Sequence, residues 1–164
     1  MNVSIDTNIF VDVLNKESLS ASSKEILDRI DAGSLNGVVS TVVIAEMCAG
    51  YHLAGQTKEK DDFLTHVQGS QNYEIVELSV GVADQAGMIK AATGLKLPDA
   101  IIVASALKGA AECLITNDES LKKAEKFIRV VTSKEFVGER KEMDDQAQGF
   151  KAPRPETSRS HVDT

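Results

Sequence analysis

Short apolar runs alternate with longer stretches of helical period along most of this chain, and that alternation leaves few folds open. Met1–Ile5 reads as a buried strand. Thr7–Leu14 follows as a helix, with Ile9, Phe10, Val13 and Leu14 at helical spacing. Ser20–Ile30 is a second amphipathic helix, Gly33–Gly37 a turn and Val38–Val39 a strand. Ser40 or Thr41 can cap the helix that carries Val42, Val43, Ala45, Glu46, Ala49 and Leu53. Gln56–Val67 is polar and helical, and Tyr73–Leu78 is strand-like. Ser79 opens a helix that Gly94 ends, and Pro98 suits the first turn of the next one. Cys113–Thr116 reads as a strand, Ser120–Lys126 as a short helix, Ile128–Val131 as a last strand and Ser133–Val137 as a final helical turn. Parallel strands need long crossovers, usually helical. The pattern therefore predicts an α/β domain with a central parallel β-sheet flanked by helices on both faces.

At 164 residues the simplest organisation is one domain over 1–137. From Gly138 onward apolar residues are few and Lys/Arg nearly balance Asp/Glu, so 138–164 reads as a disordered C-terminal tail. No apolar run approaches membrane-spanning length, and no basic segment followed by an apolar stretch opens the chain. Cys48 and Cys113 stand among apolar neighbours without zinc-ligand spacing, as free thiols do in a reducing, cytoplasmic protein. A net charge of −7 argues against a broad basic surface for nucleic acid, and with 4% aromatic residues a base-stacking platform is also disfavoured. Neither excludes an enzyme with a local basic patch.

Four acids stand where such a sheet would gather them: Asp6 in VSIDTNIF, Glu46 in STVVIAEM, Asp99 in LKLPDAIIVASAL and Asp118 in CLITND. Asp6 and Asp118 fall just past strand ends, while Asp99 and Glu46 fall near the starts of helices that return to the sheet. All four should meet at the C-terminal edge, where open α/β sheets bind ligands. Carboxylates that converge without basic partners repel one another, and a divalent cation relieves that repulsion. Singly, each has a plainer reading: Asp6 and Asp118 as helix caps, Asp99 as first-turn chemistry. Glu46 resists one, because a charge within an apolar helix start needs a partner. His52, His66 and His161 lack ligand spacing, and no GxxxxGK[ST] loop occurs.

The IDTN segment, the AE pair, LPDAIIVASAL and LITND, in this order and spacing, resemble the PIN-domain ribonucleases, and more narrowly the VapC-type toxins of toxin–antitoxin pairs. The resemblance covers roughly Met1 to Val137. It implies a Mg²⁺- or Mn²⁺-dependent RNA endonuclease, with Asp6, Glu46, Asp99 and Asp118 as catalytic and metal-holding residues. Thr7, Asn8 and Thr116 would orient the carboxylates, and Asn117 would share the role of Asp118. Asp84 falls outside the pattern. The resemblance further implies an RNA substrate, a cognate antitoxin protein and a homodimer. The chain is longer than a minimal toxin, and related proteins process RNA without an antitoxin.

Two other classes remain open at this point. Phosphotransfer domains also place an Asp after the first strand, but want a second Asp two residues on, where this chain has Asn8. A PIN-like protein that only binds RNA or a partner is the other; the intact quartet speaks against it.

Overall fold

The computed structural model describes residues 1–149. Five strands, β1 (Asn2–Ile5), β2 (Asn36–Ser40), β3 (Tyr73–Val76), β4 (Cys113–Ile115) and β5 (Arg129–Val131), form one parallel sheet in the order β3-β2-β1-β4-β5. Seven α-helices connect and cover it: α1 (Thr7–Asn15), α2 (Ser20–Asp31), α3 (Thr41–Leu53), α4 (Thr57–Gly69), α5 (Val80–Thr93), α6 (Leu97–Lys108) and α7 (Ser133–Gly149). Val3, Ser4 and Ile5 are all at most 1% exposed. Successive strand residues point to opposite faces, so both faces of the sheet are covered, as the sequence predicts.

The helix starts follow local chemistry. Asp6 caps α1 by accepting from the Thr7 amide at 2.7 Å. Ser40, rather than Thr41, caps α3 through its hydroxyl (3.2 Å from Val42 N), and Ser79 caps α5. Gly94 ends α5 in the left-handed region at φ 72°, a conformation glycine adopts without strain. α6 is different in kind. Ala100 through Ala106 are all buried, so this helix is wrapped by protein on every side. A Cβ on Gly109, just beyond it, would lie 2.5 Å from Val38 Cγ1, so glycine permits the close approach of this helix end to β2.

Three expectations need correction. The Gly33–Gly37 turn ends early, because Asn36 and Gly37 pair with Asn2 and Val3 as strand residues. Glycine is required at 37 by crowding: a Cβ there would sit 2.9 Å from the Tyr73 ring. The helix expected over Ser120–Lys126 is a 3₁₀ helix over Glu119–Ala124. The disordered tail expected from Gly138 is helical to Gly149, because its charges are used: Arg29 bonds Asp144 at 3.4 Å, Lys141 bonds Glu25 at 3.3 Å and Arg129 bonds Glu139. A polar helix stabilised by such pairs lacks the apolar period that sequence reading relies on. Residues 150–164 of that tail lie outside the described residues.

The strand order reverses direction between β1 and β4. Parallel α/β sheets form a crevice beyond the strand C-termini at such a reversal. Asp6 immediately follows β1, and Thr116–Asp118 immediately follow β4.

Candidate active site

Asp6 is 5% exposed, and its backbone amide continues the sheet by donating to Ile115 O at 3.1 Å. Its carboxylate is held on both oxygens. Oδ1 accepts from Thr7 N, and Oδ2 accepts from Asn8 Nδ2 and the Thr116 hydroxyl, each at 2.6 Å. Burial pushes the acid up to about 6, and the charges of Asp99 and Glu46 act in the same direction against the Thr116 and Thr7 hydrogen bonds.

Glu46 is on α3, exposed, and accepts from the Thr7 hydroxyl. That bond is the partner its position in an apolar helix calls for. Asp99 lies in the first turn of α6, half-buried, and its carboxylate takes no hydrogen bond among the described residues. Burial first, then the charges of Asp118 and Glu46, raise its pKa, and only Lys96 opposes them. Asp118 caps the 3₁₀ helix through Ser120 N at 2.8 Å, and its own amide donates to Thr116 Oγ1 at 3.0 Å. Asp6, Glu46, Asp99 and Asp118, with Thr7, Asn8 and Val11, line one open hollow of about 400 Å³.

The supporting residues divide. Thr7, Asn8 and Thr116 hydrogen-bond carboxylate oxygens of Asp6 and Glu46. Asn117 does not share the role of Asp118. Its side chain turns inward, donating to Asp12 Oδ2 at 2.6 Å and accepting from the amide and hydroxyl of Ser133 at 3.0 Å. It reaches the site only through its backbone amide, which donates to Asn8 Oδ1 at 3.0 Å. Asp12, absent from the sequence reading, is 5% exposed and also accepts from Ser23 Oγ. Its signal in the sequence is a charge one turn after Asn8 among apolar neighbours of α1. Together Asp12, Asn117 and Ser133 tie α1, α2 and α7 to the loop that presents Asp118.

The donor set suits a hard divalent cation: oxygen ligands only, of like charge. Among the described residues, however, no three His, Cys, Asp or Glu side chains stand close enough to clasp one ion. The carboxylates ring the hollow. Glu46 and Asp118 are exposed, and the Asp99 carboxylate takes no hydrogen bond among the described residues. His66 bonds Asp31 at 2.9 Å and takes no part. Cys113 is buried and Cys48 half-buried, both as free thiols.

Two hollows flank the carboxylates. One, of about 350 Å³, lies between α1, α3 and α4 and is lined by Val11, Leu14, Met47, Tyr51, Ala54 and Glu59 among others, with Glu46 as a shared wall. The other, of about 340 Å³, is lined by Gly94, Leu95, Lys96, Ser120 and Lys123, with Asp99 and Asp118 as shared walls.

A family model described as the PIN domain matches residues 3–127. No match is found among curated proteins. Among solved structures, a toxin–antitoxin complex from Klebsiella pneumoniae aligns with TM-score 0.62 and 26% identity, covering 80% of this chain and 97% of that one. VapBC2 from Rickettsia felis, bound to a DNA fragment from its promoter, aligns with TM-score 0.60 and 21% identity, over 80% and 98%. VapC20 from Mycobacterium tuberculosis, a toxin that cleaves the sarcin–ricin loop, aligns with TM-score 0.62 and 13% identity, over 74% and 94%. No helix among the described residues is long and apolar enough to cross a membrane.

Proposed function

The chain belongs to the PIN-domain family, and from that premise we propose that it is a Mg²⁺- or Mn²⁺-dependent endoribonuclease, the toxin of a toxin–antitoxin pair. One observation carries the reading: carboxylates from four separate elements line a single hollow at the sheet's reversal, and Lys96 is the one cation whose charge eases the ionisation of Asp99. Asp6, Glu46, Asp99 and Asp118 would hold the cation. When bound, a divalent ion supplies charge neutralisation and Lewis-acid activation of water and phosphate.

The rest is the work of the chain's own side chains. Thr7, Asn8 and Thr116 fix the Asp6 carboxylate, so it keeps one orientation through the reaction. Thr7 also positions Glu46, joining the start of α1 to α3 across the hollow. Asp99 lines the hollow and is held by no hydrogen bond among the described residues, so its carboxylate is available to the cation. The openness of the hollow suits a polymer, which must lie across the site.

The groove between α1, α3 and α4 supports the antitoxin half of the reading. It joins the carboxylate hollow through Glu46 and Val11, and Leu14 beside it is 51% exposed. An apolar antitoxin segment seated there would obstruct the site. Homodimerisation in a reducing, cytoplasmic setting belongs to the same proposal.

The test is cleavage of a mixed structured-RNA pool in Mg²⁺, Mn²⁺ or EDTA by wild type and Asp99→Asn. Metal-dependent fragments that the substitution abolishes are expected. Undiminished cleavage by Asp99→Asn would remove the quartet assignment. Binding without cleavage under any metal would leave an RNA-binding protein. Co-purification of the product of a neighbouring small reading frame tests the toxin half.

A further inference from the structure

In a chain of net charge −7, phosphate has few places to rest near four carboxylates. The hollow behind Asp99 and Asp118 is one. Lys96 sits in the α5–α6 loop and Lys123 on the 3₁₀ helix, and both are exposed at its rim. Nearby lysines are already engaged. Lys90 donates to Leu95 O at 3.1 Å, Lys122 to Val130 O at 2.8 Å and Lys126 to Ala92 O at 2.9 Å. Lys122 also pairs with Glu125 and Glu135. Among the described residues, Lys96 and Lys123 have no salt bridge and no hydrogen bond from the ammonium group, so both charges remain for a ligand. These engaged lysines have a second effect: Lys126 and Lys90 brace the two segments that carry the free pair.

We propose that Lys96 and Lys123 grip a backbone phosphate next to the scissile one, so that single-stranded RNA leaves the carboxylate hollow over the α5–α6 loop and the 3₁₀ helix. The proposal rests on the ribonuclease reading and adds a direction to it. The opposite exit disfavours phosphate, because among the described residues Glu46 and Glu59 are the charged groups of the α1/α3/α4 groove, set among Leu14, Met47 and Tyr51. Among the described residues no aromatic side chain lines the Lys96–Lys123 hollow, so the grip is electrostatic and indifferent to base identity. It positions substrate and takes no part in the chemistry.

The test uses the full chain carrying Glu46→Gln, which keeps an acceptor for Thr7 and blocks cleavage, with a short labelled mixed-sequence single-stranded RNA in Mg²⁺. Adding Lys96→Gln and Lys123→Gln should weaken binding about tenfold, and should flatten the slope of log affinity against log salt by about 0.7, one phosphate on a single strand. Lys96→Arg with Lys123→Arg should restore both. The charge-matched control Lys24→Gln with Lys58→Gln, on exposed helix faces elsewhere, should change neither. In the active enzyme Lys123→Gln alone, which leaves the Lys96 charge beside Asp99 in place, should raise KM and leave kcat. A parent that binds and cleaves RNA, with affinity and salt slope unmoved by the double substitution, overturns this inference and leaves the ribonuclease reading standing. A parent that neither binds nor cleaves RNA overturns both.

Discussion

The two hollows beside the carboxylates are nearly equal in size, about 350 and 340 Å³, and each borrows its inner wall from the same quartet. Their outer walls are opposite. The α1/α3/α4 side offers Val11, Leu14, Met47 and Tyr51 with Glu59; the α6/3₁₀ side offers Lys96 and Lys123. The difference teaches how one acidic site can meet two classes of macromolecule. An apolar wall rewards a protein segment that buries surface, whereas a pair of uncommitted ammonium groups rewards a polyanion. A partner on the first side would block the site without having to resemble its substrate.

The comparison breaks first if the shared wall is not the reactive part. Asp99→Asn should cut RNA cleavage by ~10²–10³-fold, the loss typical of one electrostatic contact at a reacting centre. Circular dichroism and thermal melting should be close to wild type, since the Asp99 carboxylate carries no hydrogen bond among the described residues. Retained activity would detach both hollows from catalysis.

Next in size is the charge of the shared wall itself. Burial pushes the Asp6 carboxyl in the fold up to about 6 from its ordinary 3.8, so the folded state binds more protons than the unfolded one between these values. Its ionisation therefore costs stability that is absent below 3.8, appears as pH rises through this window and is complete above about 6, up to about 3 kcal/mol. A cation in the hollow relieves that cost. Mg²⁺ should raise the melting temperature more at pH 7.5 than at pH 5, measured against EDTA. Equal protection at both would place the bound ion away from Asp6.

Sharper, and smaller, is a charge set into the apolar side. Leu14→Asp should weaken a cognate antitoxin about tenfold, as a buried unpaired charge does, with RNA cleavage unchanged. An antitoxin that binds this variant as well as wild type would move the partner off the groove. The smallest effect separates lining from mere exposure. Leu53 is 91% exposed and lies outside the groove lining, so Leu53→Ser should shift stability by no more than about 0.5 kcal/mol and leave both hollows as they are, by melting and RNA binding.

Much of the site was legible because its parts are locally encoded. Asp6 follows an apolar run and caps the next helix; Asp99 follows a proline at a helix start; Asp118 follows a strand and caps a turn. Each can be read within one element, and parallel topology then brings them to one edge. The misreadings share a different origin. Gly37 looks like a turn until Tyr73 is seen against it, and Gly138 looks like an end until Arg29 and Glu25 are seen pairing with the helix beyond it. Asn117 beside Asp118 invites a shared role, yet its side chain answers to Asp12, 105 positions away.

By itself, then, the order of residues determined the parallel α/β architecture and the acidic quartet, because strand and helix period and capping are properties of neighbours along the chain. Tertiary structure alone decided which acid is buried and held, which are exposed, where Asn117 points, how far α7 runs and what flanks the carboxylates. Burial, charge and hydrogen-bond partners at these places come from residues far apart in sequence, and only the packed fold brings them within a few ångströms of one another.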